Sequence, residues 1–353
     1  MEIAILGAGG FIGSHLVEHL AASDAHHVTA VDISSRKLAG IPRTNFTFLH
    51  ADVRTDRTVT DAVIHDADLV VDLVAYANPS RYVTAPLEVF ELNFLQNLEI
   101  AKSCITHGKR LVQYSSAEVY GKAVDGTTYS EDRSDLIFGP VQKQRWIYGS
   151  AKALLERVLY AHGMAGDLEY TIFRPFNFLG SRIDYLVPAH ATGGPRVFPH
   201  FLSALLTGGP IRLVDGGHVR RAFLHIDDGN AAFQAILDDP DQSRNQIFNV
   251  GNPANNTTVR EFAHLMIDVY EELTGRTATS RIVEISGEAF YGKGYEDGDR
   301  LPPDISKLQC LGWSPEHDLR TTIRDAMRGY LRDVEDGYEP PQLAGLQERG
   351  GAP

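Results

Sequence analysis

Tyr148 and Lys152 lie one helical turn apart in the helix-forming run Trp146-Ile-Tyr-Gly-Ser-Ala-Lys-Ala-Leu-Leu-Glu. At that spacing both side chains share a face. A free phenol titrates at about 10, and a neighbouring ammonium favours the phenolate. The pair therefore predicts a Tyr148 pulled down by Lys152, a base that removes a hydroxyl proton while hydride leaves carbon. The segment Gln113-Tyr-Ser-Ser-Ala-Glu-Val-Tyr-Gly121 ends a strand and offers more chemistry. Ser115 or Ser116 is placed to hydrogen-bond the reacting hydroxyl or the cofactor, or to form the turn itself. Glu118, as an acid in a confined cleft, is expected to have a raised pKa and to shuttle protons.

A tyrosine and a lysine at this spacing are commonplace unless something positions them. The positioning unit is the opening stretch MEIAILGAGGFIGSHLVEHL. Ile3, Ile5 and Leu6 read as a buried strand, Gly7, Gly10 and Gly13 as a turn, and the following residues as an apolar-periodic helix. Strand, glycine turn and helix aim backbone N–H groups at a pyrophosphate. An acid about 20 residues on completes the dinucleotide pattern, and Asp32 ends a second strand. Asp32 also favours NAD over NADP, because a carboxylate repels a 2′-phosphate.

Strands and helices alternate through the first 175 residues. Strands are expected near 28–32, 46–49, 69–74, 110–114 and 170–173, with long helices over about 86–107 and 146–162. This predicts an α/β fold, a Rossmann-type doubly wound parallel sheet binding its ligand beyond the carboxyl ends of the strands. Residues 120–144 read as a site-covering loop. Residues 176–335 alternate less regularly, with short strands expected at 211–214, 222–225, 246–250 and 281–285 and helices at 198–206, 230–237, 259–273 and 318–334. They are expected to form mainly a smaller C-terminal substrate-binding lobe, some segments returning to the sheet. Residues 338–353 are expected to be a frayed tail.

The chain has 353 residues, 43% hydrophobic and 22% charged, with a net charge of −13. That acidity argues against nucleic acid or an anionic membrane. Cys104 and Cys310 are too few for a disulfide framework or a cysteine metal site. No signal segment or membrane span is apparent, so a cytoplasmic protein is expected.

The glycine turn, Asp32, Asp52 and the Ser…Tyr…Lys set resemble the extended short-chain dehydrogenase/reductase family, sugar-nucleotide branch. SSAEVYG, FGPVQKQRWIYGSAK, FRPFNFLGSR, IRLVDGGHVRRAF, FNVGNP and FYGKGYED narrow the resemblance to UDP-glucuronic acid decarboxylases. The nearest types are the decarboxylase domain of the bifunctional polymyxin-resistance enzyme and UDP-apiose/xylose synthase. The likeness runs to about Arg332. It implies that Gly7, Gly10, Phe11, Ile12 and Gly13 hold the pyrophosphate of NAD, Asp32 its ribose, and Asp52 with Val53 its adenine. Ala75 and Asn93 would lie beside the cofactor. Ala77, Tyr82, Ser116, Ala117, Arg145 and Asn177 would line the sugar and phosphate side. Arg212 to Arg221 would form the uridine-diphosphate strand, and Tyr295 would close the pocket.

Three departures stand out. Ala117 replaces a serine or cysteine, and Ala77 replaces the second cysteine of the apiose-forming enzymes. The catalytic arginine of the relatives falls on Leu301 in an ungapped alignment, one residue from Arg300; Arg81, beside Tyr82, is a second candidate for that charge. The resemblance implies oxidation at C4 of a UDP-hexuronate and release of CO2, giving a UDP-4-keto-pentose or UDP-xylose. A 4-epimerase or dehydratase of the same fold, and a non-catalytic NAD-binding regulator, are the competing readings. The two long helices carry apolar residues on more than one face and pack against their copies in relatives, so a homodimer is expected.

Overall fold

The computed structural model describes residues 1–42, 44–123, 126–184 and 196–335, with side chains to residue 332. Its strands are β1 (Glu2–Leu6), β2 (His27–Asp32), β3 (Phe46–His50), β4 (Leu69–Asp72), β5 (Arg110–Tyr114) and β6 (Tyr170–Pro175). There follow β7 (Asn177–Leu179), β8 (Ile211–Val214), β9 (Arg220–His225), β10 (Gln246–Val250), β11 (Asn256–Thr258) and β12 (Ile282–Ile285).

Seven strands form one sheet in the order β10-β6-β5-β4-β1-β2-β3, every pair parallel. Parallel strands need helical crossovers, which cover both faces, so these strands are apolar on both sides. Strand alternation sorts β1 accordingly: Ile3 and Ile5 enter one core cluster, Ala4 and Leu6 the other. The chain runs outward from β1 to β3 and then crosses back to β4 on the far side of β1. That reversal opens a crevice at the carboxyl ends of β1 and β4. The first core cluster continues through Phe198, Phe201, Phe223, Phe262 and Met327, joining the later segments to the sheet without a break. Those segments add a three-stranded sheet, β11-β9-β7, and a parallel pair, β12-β8.

The expected strands and main helices are present; β7, β11 and several short helices are additional. β10 returns to the sheet edge from beyond residue 175. The helix expected over 86–107 is helical throughout, but residues 91–96 form a π turn between Pro86–Phe90 and Asn97–His107. Residues 338–353 lie outside the described residues. Cys104 and Cys310 are both free. Among the described residues no helix is long and apolar enough to cross a membrane.

Candidate functional site

The glycine turn follows β1 directly. Gly7 adopts φ +84 and lies so close to β4 that a Cβ would sit 3.0 Å from the Leu73 carbonyl carbon. A Cβ on Gly13 would come within 2.4 Å of the Gly7 oxygen, and one on Gly9 within 2.0 Å of the Ser34 oxygen. No side chain can be added without moving backbone. Gly10 caps the helix Phe11–Ala21 without a side-chain hydrogen bond, so the first-turn amides of Phe11, Ile12 and Gly13 are offered to a ligand. Asp32 accepts from the Gly9 and Ser34 amides, each at 2.9 Å. Its carboxyl is raised, chiefly by burial. Helix N-terminus, side-chain-free turn and anchored acid fit a dinucleotide.

Around this cradle, Asp52 holds Arg54 bidentately at 3.0 and 2.7 Å, and the Val53 carbonyl accepts from Gln96 at 2.8 Å. The π turn directs Asn93 onto both backbone groups of Tyr76, accepting at 2.8 Å and donating at 3.2 Å. Asn93 therefore props the segment carrying Ala75 and Ala77, both of which line a cavity at the crevice.

That cavity, about 290 Å³, opens between the crevice and the later segments. Tyr148 and Ser116 face it, with Tyr82 stacked on Tyr148 at 4.7 Å and 6° between planes. Burial pushes the Tyr148 phenol up to about 12; the Ser116 hydroxyl and the Arg196 guanidinium oppose the rise. The expected lowering by Lys152 is thus reversed. Lys152 is buried, and its ammonium donates to the Tyr114 carbonyl at 3.0 Å and to Asn97 Oδ1 at 3.3 Å. Burial brings Lys152 down to about 8, resisted by Asp72 and Glu156. Asp72 itself, pushed up to about 6 by burial, accepts from Asn97 at 2.8 Å. Ser115 donates to Glu156, which also pairs with Arg174 at 2.6 Å.

The raised pKa expected for Glu118 is also overturned. Burial would raise it, but Arg145 and Arg300 outweigh burial and hold it well below the carboxylate range. Arg145 donates to Glu118 through two nitrogens and Arg300 through one at 2.9 Å. Arg300 also donates to the Gly121 carbonyl and is buried behind Glu118. Leu301 packs into the apolar cluster around Tyr129. Arg81 turns away, paired with Glu88 at 2.5 Å and lying over the Tyr76 ring. Ala117, expected on the substrate side, packs with Val119 and Tyr120 instead.

Asn177, Arg212, Arg221 and Tyr295 line the cavity. Asn177 donates to the Ala222 carbonyl at 3.2 Å, and Tyr295 stacks on Tyr291 at 4.2 Å. Asp215 holds the Gly287 amide at 3.0 Å and so fixes the helix that presents Tyr291. Two charged lining residues escaped sequence reasoning. Arg196 is paired with Asp184 at 3.0 Å; in the sequence it is one arginine after a proline-rich loop, indistinguishable from a surface charge. Asp297, paired with Arg221, was visible only as a letter of FYGKGYED.

Residues 3–251 match the model of the NAD dependent epimerase/dehydratase family. A UDP-D-apiose/UDP-D-xylose synthase of Oryza sativa subsp. japonica is 37% identical over 93% of this chain and 88% of its own length. UDP-D-apiose/UDP-D-xylose synthase 2 of Arabidopsis thaliana is 39% identical over 90% of this chain and 88% of its own. Among solved structures, the PbgP3 protein from Burkholderia pseudomallei superimposes with a TM-score of 0.84 at 34% identity, covering 96% of this chain and 98% of that one.

Proposed function

Because this chain belongs to the NAD dependent epimerase/dehydratase family and is an NAD-dependent enzyme of it, we propose that it decarboxylates UDP-glucuronate. The product is a UDP-4-keto-pentose or UDP-xylose, and the working form is a homodimer. The observation that carries this reading is Glu118 clamped by Arg145 and Arg300 on the same cavity that Tyr148 enters. The resemblance to synthases that make UDP-xylose supports it.

NAD, when bound, would supply the hydride acceptor that turns the C4 alcohol into a ketone; its reduced form would return that hydride to C4 when the product is UDP-xylose and would carry it away when the product is the 4-keto-pentose. Tyr148, with Ser116 at its hydroxyl, takes the alcohol proton as C4 is oxidised. The ketone lies β to the C6 carboxylate. The C5–C6 bond then breaks, CO2 leaves, and the electron pair passes into the carbonyl as an enolate that is protonated at C5. Glu118 and its two arginines orient the carboxylate-bearing carbon and fix the charge around it. The arginines of β8 and β9, Arg212 and Arg221, receive the diphosphate, for which guanidinium geometry is suited.

Ring contraction to apiose requires the sugar skeleton to open and reclose. Ala77 and Ala117 stand where the apiose-forming enzymes carry cysteines, and a methyl group is neither acid nor base. The six-membered ring is therefore retained. Mass spectrometry and NMR of the product from UDP-glucuronate and NAD test the proposal. Loss of CO2 without a branched sugar supports it; a product of unchanged mass with galacturonate stereochemistry replaces it with 4-epimerisation.

A further inference from the structure

The cavity wall carries four arginines, Arg145, Arg196, Arg212 and Arg221, and two carboxylates, Glu118 and Asp297. Glu118 is held from two sides by Arg145 and Arg300. Asp297 is held differently. It meets one guanidinium nitrogen of Arg221, the two side chains being 13% and 14% exposed. The other terminal nitrogen of Arg221 donates to the carbonyls of Arg220 at 2.7 Å and Gly298 at 3.1 Å. The Asp297 oxygen that meets Arg221 also accepts from the neighbouring Gly298 amide at 2.9 Å. Burial would raise this carboxyl, yet Arg221, Arg145 and Arg300 together lower it, so it is an anion among three cations. The chain reaches it through Gly292 and Gly294, both at positive φ.

An oxyanion entering the cavity needs the guanidinium edge that Asp297 occupies. A carboxylate at that edge also repels the entering anion. A diphosphate offers several oxygens of higher charge to the same nitrogens and to Arg145 beside them. We propose that Asp297 is a resident stand-in for phosphate: it occupies Arg221 in the free enzyme, is displaced by the diphosphate of the nucleotide, and so sets the affinity of the nucleotide site. The inference rests on the UDP-sugar reading above. Its energetic consequence is specific. Part of the diphosphate's attraction to Arg221 is spent on releasing an internal anion, and a ligand lacking phosphate has no means of releasing it.

Calorimetric titration of UDP into the parent protein and Asp297→Asn tests this. Removing the competitor should tighten UDP binding about 10- to 100-fold, the equivalent of one charge-assisted hydrogen bond, while leaving uridine affinity unchanged. Asp297→Ala should move UDP affinity in the same direction. Equal or weaker UDP binding in the variants overturns the inference, because Asp297 would then serve to orient Arg221. Failure of the parent to bind UDP would instead overturn the substrate reading, and this inference with it. Should both variants lose NAD affinity through misfolding, hydrogen exchange in the unaltered protein decides. Saturating UDP should speed exchange at the Gly298 amide, which loses its acceptor; unchanged or slower exchange there rejects displacement.

Discussion

A carboxyl group removed from water is driven toward its neutral form, and Glu118 would follow that rule without Arg145 and Arg300. Their charges make it an ion throughout the neutral range. The rate should therefore show no limb between pH 5 and 8 that vanishes in Glu118→Gln. Arg300→Met removes one of the two charges and lets burial act. The carboxyl pKa then rises, and because the proposed mechanism works through the ionised form, kcat of this variant should acquire a limb that increases with pH inside that window. A flat profile for Arg300→Met would show that Arg145 alone suffices. Tyr148 faces a different test. Replacing it with phenylalanine deletes the proposed base, and turnover should fall roughly 10²–10⁴-fold, the usual general-base contribution. UDP affinity, which the proposal assigns to the arginines, should be kept in calorimetry.

At the level of elements, the glycine turn was legible because its residue types are dictated by contact distances. Its Cβ positions are filled by neighbouring backbone, and only glycine satisfies that. Gly13→Ala places a methyl 2.4 Å from the Gly7 oxygen, so the turn must shift and NAD affinity should fall by more than about tenfold, with UDP affinity less affected. The acid at the end of β2 was readable for a similar reason: Asp32 is anchored to two amides. NAD should accordingly bind more tightly than NADP, and comparable dissociation constants would contradict that role for Asp32. The π turn at residues 91–96 was not legible. One extra residue in a helical run leaves the apolar pattern almost unchanged, yet it turns Asn93 onto Tyr76. Pairing also escaped sequence reasoning. Sequence supplies Glu118, Arg145 and Arg300 as separate charges, far apart in the chain. Only the folded sheet brings them within bonding distance, and that proximity reverses the expected titration of Glu118. Tyr148 was misjudged in the opposite sense, because a four-residue spacing fixes a shared face but not where the ammonium points.

Across the whole molecule, the parallel sheet follows from strand-helix alternation, whereas the placement of β7 and β11 depends on three-residue strands whose pattern is too short to read. The same scale decides the oligomer. The helical run 86–107 and the helix Ile147–Ala165 pack together and leave Leu87 75% exposed, with Leu95 and Leu154 each 45% exposed. Phe90 and Phe94 stack on each other along the same run. Each leucine fully covered contributes about 1.5–3 kcal/mol, and a two-fold axis doubles every such contact. A second copy of this chain, meeting the first through these helices as proposed, would cover them without demanding a different partner surface. Light scattering at micromolar concentration should give the mass of a dimer. Leu95→Glu combined with Leu154→Glu would place carboxylates in the proposed seam, where losing water is costly for a charge. The double variant should run as a monomer while binding NAD as the parent does, since neither residue lines the cavity. A parent protein that is already monomeric, or a double variant that remains dimeric, would rule these helices out as the interface.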